Sequence, residues 1–197
     1  LLVRHTGQED ICVGVAVAGR THPATESLVG CFANTLVLRS RAFSNQRFVD
    51  HLHLTHQTVL DAHANQDLAF ETLLHELHPD RDLSTTPLFQ VMFGLERAPV
   101  KISSQQSLHY ELLSTPTGTT KCDLSLLLTE YDGSVSGVIE YNTDLFDRAT
   151  IVRLGERLVT FLDGIPDHQE HAIGHWPLLT QEDHEQLRCF AEPATRD

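Results

Sequence analysis

Leu88-Phe89-Gln90-Val91-Met92-Phe93-Gly94-Leu95 is apolar at almost every position, the pattern of a strand covered on both faces. A strand of that kind belongs in the middle of a sheet. Upstream, Ile11 to Ala18 sets a β-branched row (Ile11, Val13, Val15, Val17) against a small row (Cys12, Gly14, Ala16, Ala18). That is strand periodicity with one face almost free of side-chain volume, which serves either close packing or the approach of a backbone or ligand. Asn34 to Arg39 alternates again. Downstream, Leu108 to Leu113 reads as a weaker strand, and Asp123 to Tyr131 and Val135 to Tyr141 flank Asp132-Gly133, the turn chemistry of a β-hairpin.

Helices fit between these strands. After Pro23, Ala24 to Gly30 suits a short helix stopped by Gly30. Ser44 is placed to cap a long helix to about Asn65, with Phe48, Val49, Leu52, Val59 and Leu60 on one stripe. A second helix carries Leu73, Leu74 and Leu77 and is limited by Pro79. Asp147 caps a helix containing Ile151, Leu154, Leu158, Phe161 and Leu162, which Gly164 and Pro166 end. Thr180-x-x-Asp183 resembles a capping box opening a last short helix. Ser114 to Thr120 reads as a loop, and the polar, histidine-bearing interval Ile165 to Pro177 as a linker. The order predicts an α/β fold, a two-layer sandwich of helices packed on a mixed β-sheet. Gly7, Gly14 and Gly19 form neither dinucleotide nor Walker spacing.

The 197 residues carry 14 Lys+Arg against 27 Asp+Glu, a formal charge of −13 with histidines neutral. No Lys/Arg cluster interrupts that excess, so nucleic acid is not an expected partner. The longest apolar run, around Leu126-Leu127-Leu128, stops at Thr129 and Glu130, short of the roughly 18 residues of a membrane span, and no membrane partner is expected. Leu1 opens the sequence without a secretory pattern and reads as the start of an excised piece. Cys12, Cys31, Cys122 and Cys189 form no close pairs, which points to reduced thiols and a cytoplasmic location.

Two histidine patterns invite chemistry. His51, His53, His56 and His63 share the long helix, and the spacing of His53 and His56 would suit zinc or nickel, yet two residues do not close a four-ligand site. Core or surface histidines are the favoured reading, with no metal. His63-Ala64-Asn65-Gln66-Asp67 matches the His-x-x-x-Asp spacing of a carboxylate-oriented general base. Here Leu68 follows the Asp and His63 lies in a helix, so the match is discounted. No Gly-x-Ser-x-Gly elbow is present.

Three strings then resemble, in family order, the fifth, sixth and seventh core motifs of the condensation domains of nonribosomal peptide synthetases. They are Val29-Gly30-Cys31-Phe32-Ala33-Asn34-Thr35-Leu36-Val37-Leu38-Arg39, Asn65-Gln66-Asp67-Leu68-Ala69-Phe70-Glu71, and Arg81-Asp82-Leu83-Ser84-Thr85-Thr86-Pro87-Leu88-Phe89-Gln90. Gly7-Gln8-Glu9-Asp10-Ile11, Val17-Ala18-Gly19-Arg20 and Glu140-Tyr141-Asn142-Thr143-Asp144-Leu145-Phe146 add to the similarity. Ala33, Ala69 and Thr85-Thr86 stand where the family usually has Val, Pro and Arg-Asn.

The resemblance implies one lobe of a chloramphenicol-acetyltransferase-like fold, the C-terminal lobe over residues 1–165. Residues 166–197 would then be a linker and short helix toward a following domain, and Leu178 to Leu187 resembles the start of the linker to an adenylation domain. The family's catalytic His-His-x-x-x-Asp-Gly string belongs to the other lobe and is absent here, so the fragment alone is expected to be inactive, with no catalytic residue of its own. Implied partners are the N-terminal lobe, donor and acceptor peptidyl carrier proteins and an adjoining adenylation domain. No cofactor is expected to bind, the substrates arriving as thioesters on phosphopantetheine arms. Carried over from the motifs, Asn34 is a polar amide near the reaction centre and Ala18, Gly19 and Arg20 are tunnel lining. Asn34 beginning a strand and Arg20 pairing with a surface carboxylate stay open as alternatives. Gln66, Asp67, Arg81, Asp82 and Ser84 read as structural, with Asp67 and Arg81 able to pair across a helix end. Competing readings are a stand-alone carrier-protein or domain-interaction module, and the lobe of an epimerisation domain.

Overall fold

The computed structural model describes residues 1–77, 86–97 and 118–191. Among them five strands form one sheet, β1 (Asp10–Val17), β2 (Asn34–Arg41), β3 (Val91–Arg97), β4 (Leu124–Tyr131) and β5 (Ser134–Tyr141), in the order β2-β1-β3-β4-β5. β3 is central and runs parallel to β1 (Val13 opposite Val91, Val15 opposite Phe93) and to β4, from Val91 opposite Leu124 to Arg97 opposite Glu130. β4 and β5 are antiparallel, so the sheet is mixed as expected. Asp132 (φ 50) and Gly133 (φ 75) both take the left-handed region of a tight hairpin turn, whose twist matches that of its strands.

The central strand begins and ends later than its apolar run. Leu88 sits at φ 71 and turns the chain, and Phe89 is buried at 3 % exposure. Leu88 and Phe89 therefore serve the turn and the packing, the Gln90 carbonyl already accepts from Leu124 N–H of β4 at 3.2 Å, and cover over β3 is partial, since Leu95 is exposed. The Phe89 ring fills the smooth face of β1: a Cβ built on Gly14 would lie 2.5 Å from it. At Gly14 close packing is the outcome, while Ala16 and Ala18 remain exposed.

Six helices are described: α1 (Leu2–Thr6), α2 (Phe48–Ala64), α3 (Phe70–Leu77), α4 (Arg148–Asp163), α5 (Ile165–His168) and α6 (Gln181–Ala191). The helix expected over Ala24 to Gly30 reduces to a single 3-10 turn, Pro23–Thr25, capped by the His22 ring. Ser44 does not cap α2. Phe48 N–H and Val49 N–H instead donate to the carbonyls of His171 (3.2 Å) and Gln169 (3.1 Å), while the Ser44 carbonyl accepts from Gly174 N–H at 2.8 Å. Backbone acceptors from a distant segment do what a side-chain cap does elsewhere. On α2, Leu52 and Leu60 are half exposed, so the apolar stripe is only partly covered. Asp147 caps α4 by accepting from Thr150 N–H at 2.7 Å. Gly164 is right-handed (φ −75), and the chain passes into α5 with Pro166 in its first turn, where a missing N–H costs nothing. The Thr180 box closes reciprocally, Thr180 N–H to Asp183 Oδ2 at 3.0 Å and Asp183 N–H to Thr180 Oγ1 at 3.1 Å.

The chain divides into two compact units. One comprises Leu1–Ile11, Ser40–Val59 and the chain from Asp147 onward, with a core of Phe161, Ile173, Trp176 and Leu178 joined by Leu1, Phe48 and Ile165. Trp176 is 2 % exposed, with its ring centroid 4.7 Å from those of both Phe48 and Phe161. The interval Ile165 to Pro177, whose composition pointed to a linker, is anchored to this core by Ile165, Ile173 and Trp176. The second unit, Cys12–Arg39 and Leu60–Phe146, holds most of the sheet and α3, with the Phe70 and Phe89 rings in tilted contact at 5.7 Å between centroids.

Candidate functional site

Three of the motif strings meet within the second unit, where β1 ends and β2 begins. Ala18 is exposed just beyond β1, and Gly19 turns the chain at φ 65. A Cβ on Gly19 would stand 1.8 Å from the Phe32 carbonyl oxygen, so both the turn and the close approach demand glycine. The Arg20 guanidinium lies 4.4 Å from the Phe32 ring centroid, donates to the Gly30 carbonyl at 3.1 Å and also donates to the Thr25 carbonyl. Its partners are carbonyls and an aromatic face rather than the surface carboxylate considered above. The five donors of a guanidinium fork suit this use, in which residues 21–33 close around one side chain.

Asn34, the first residue of β2, has its whole amide committed. Nδ2 donates to the carbonyls of Gln66 (2.9 Å) and Leu68 (2.7 Å), while Oδ1 accepts from Thr35 N–H (2.9 Å) and Phe70 N–H (3.1 Å). Phe70 opens α3, so Oδ1 satisfies a donor that a helix start leaves without an intrahelical partner. Gln66 Nε2 donates to the His63 carbonyl at 3.0 Å, and Asp67 Oδ1 accepts from Thr21 Oγ1 at 2.9 Å. Arg81, Asp82 and Ser84 lie outside the described residues, and with them Pro79, the Asp67–Arg81 pairing, Leu108 to Leu113 and most of Ser114 to Thr120.

Sequence reasoning missed Thr21 and Phe32. Phe32 stood inside a quoted motif, but only the fold of the loop places it under Arg20. Nothing in the sequence marks Thr21 as the partner of Asp67. The histidines expected as core or surface groups divide accordingly: His53, His56 and His63 are exposed and His51 is half-buried. His51 Nδ1 has no hydrogen-bond partner, and burial pushes its pKa down. Among the described residues no three His, Cys, Asp or Glu side chains converge as metal ligands. None of their helices is long and apolar enough to cross a membrane. The corner is thus made of backbone carbonyls, the amides of Asn34 and Gln66, the Arg20 guanidinium over the Phe32 ring and the Asp67–Thr21 pair, each engaged within the protein.

Solved structures share this architecture. A four domain nonribosomal peptide synthetase bound to AMP and glycine superposes with a TM-score of 0.83 at 21% identity, over 93% of this chain and 15% of that one. The condensation domain of the Monacolin K polyketide synthase MokA does so at 0.76 and 22%, over 87% of this chain and 40% of that one. The class is thus the chloramphenicol-acetyltransferase-like α/β fold.

Within that class the sequence is more specific. Residues 1–188 match the profile described as Condensation domain, and the chain belongs to the condensation domain family. It is 38% identical over 200 residues to phosphinothricin tripeptide synthetase PhsB of Streptomyces viridochromogenes, covering 100% of this chain and 16% of that protein. It is 34% identical over 181 residues to bacitracin synthase 1 of Bacillus licheniformis, covering 92% of this chain and 3% of that protein. A linear gramicidin synthase polypeptide of Brevibacillus parabrevis is 39% identical over 188 residues, which are 94% of this chain and 4% of that protein. The chain thus spans a small part of the curated relatives it matches.

Proposed function

We propose that this chain is the C-terminal half of a condensation domain in a nonribosomal peptide synthetase, one wall of the tunnel in which a peptide bond forms between two carrier-bound thioester substrates. The observation that carries the reading is the meeting of residues 18–20, Asn34 and residues 66–67 in one structured corner, where the Arg20 guanidinium, the Asn34 amide and the Asp67 carboxylate are all engaged in contacts within the protein. The sequence has no His-His pair, and the chain spans only 40% of the MokA condensation domain. Both support an N-terminal lobe, outside this sequence, that supplies the histidine.

A thioester is already activated, so alignment of the two tethered reactants and stabilisation of charge in the tetrahedral intermediate are the main tasks. A wall contributes to the first without titrating. Phosphopantetheine arms enter as part of the substrates. Exposed Ala16 and Ala18 leave a slender thiol arm room beside β1, and Gly19 and Arg20 continue that lining. Donor and acceptor carrier proteins, the N-terminal lobe and an adenylation domain beyond residues 166–197 are the proposed partners, in the cytoplasm.

The test is amide formation between two loaded carriers. The 197-residue chain alone is expected to give none, and supplying the lobe bearing His-His-x-x-x-Asp-Gly is expected to restore it. Turnover by the chain alone overturns the assignment and returns attention to His63.

A further inference from the structure

We infer that Asn34 is a positioning residue, one that never touches the reacting atoms: its amide locks the turn between α2 and α3 to the start of β2. The inference rests on the reading of the chain as a condensation wall and refines what that wall's polar amide does. An asparagine side chain has two donor hydrogens and two acceptor lone pairs. All four are spent within the protein, on Gln66, Leu68, Thr35 and Phe70, at 2.7 to 3.1 Å. To stabilise an oxyanion, Nδ2 would have to abandon a carbonyl that lies in a tight turn and has no replacement donor supplied by the substrate. A preorganised oxyanion donor is one that waits unpaired for the developing charge, and Asn34 does not wait.

What Asn34 holds is connected to the rest of the wall. Phe70, whose N–H it caps, packs at a tilt against Phe89, and Phe89 lies over Gly14 of β1. The same α2–α3 turn is tied by Asp67 to Thr21, beside the Arg20-clasped loop. Asn34 therefore fixes α3 and the α2–α3 turn against two strands, and its loss loosens the wall without removing a reacting group.

The experiment uses the complete polypeptide that carries these residues, with Asn34→Asp and Asn34→Ala, reading condensation kinetics and amide hydrogen exchange together. Asn34→Asp keeps the shape but turns both donors into an acceptor facing two carbonyls. Expected are exchange at residues 66–72 at least about tenfold faster, KM for the loaded carriers raised roughly five- to twentyfold, and kcat within about threefold of wild type, the split of a group that orders the wall and leaves the transition state alone. A fall in kcat of about a hundredfold or more with unchanged exchange would mark a transition-state donor and overturn the inference, as would no change in either readout. Should Asn34→Asp fail to fold, Asn34→Ser, which retains one donor, is read in its place. If the wild-type polypeptide forms no amide, the functional reading fails, while the exchange data still decide whether Asn34 holds the turn.

Discussion

Arg157 of α4 grips Asp183 of α6 with two parallel hydrogen bonds, Nε to Oδ2 at 2.9 Å and Nη2 to Oδ1 at 2.7 Å. Asp183 is 7 % exposed and also closes the box with Thr180. The Arg157 bonds, joined by the Thr180 N–H, hold its carboxyl far below the usual carboxylate range. Because the folded value is depressed, the stabilisation is complete above about pH 4, the ordinary value, and is lost as pH falls below it. Arg157→Met strands a buried carboxylate and is expected to cost about 3 kcal/mol. Thermal melting at pH 7 should show the loss, and the melting temperature of the variant should fall less steeply than that of wild type below about pH 4.

His51 works in the opposite part of the scale. Burial lowers its pKa, so the unfolded chain takes up a proton at this position first as the solution is acidified. The contribution is intact above about pH 6.5 and lost as pH drops through that value. His51→Leu removes both the titration and an unpartnered ring nitrogen. Its melting temperature should decline less than that of wild type between about pH 7.5 and pH 5.5; equal declines refute the assignment.

Gly14 and Phe89 share one volume. Gly14→Ala pushes a methyl group into a ring that is itself buried, at a cost of about 1–3 kcal/mol by urea unfolding. Phe89→Leu destabilises on its own but recovers part of the Gly14→Ala penalty in the double variant, and strict additivity would contradict the contact.

At the hairpin the cost is purely conformational. No atom lies within 4 Å of a Cβ built on Gly133, so Gly133→Ala pays only for its φ of 75, about 1 kcal/mol. Asp132→Asn keeps the left-handed preference and should leave the melting temperature unchanged or slightly higher.

Patterns that depend on neighbours in sequence were legible in advance. The β4–β5 hairpin follows from Asp132-Gly133, the α4 start from Asp147 and the α6 start from Thr180 and Asp183, each a local device. Ser44 misled because a good capping residue has no effect when distant carbonyls, those of Gln169 and His171, reach the helix first. Leu88 and Phe89 misled because apolar character reports packing and does not distinguish a paired strand from a turn that packs. At the site, the motif strings mark residues that the fold brings together around the start of β2. They could not tell that Arg20 faces Phe32 or that Asn34 is saturated, since both depend on where residues far along the chain come to rest.

The carbonyls lent to α2 by residues 169 and 171 bear on where this chain can be cut and grafted. A seam cut at residue 165 would strip the long helix of its first acceptors and leave Trp176 behind on the wrong side of the join. The sound place for the cut lies beyond α6, where the graft carries its own helix closure with it.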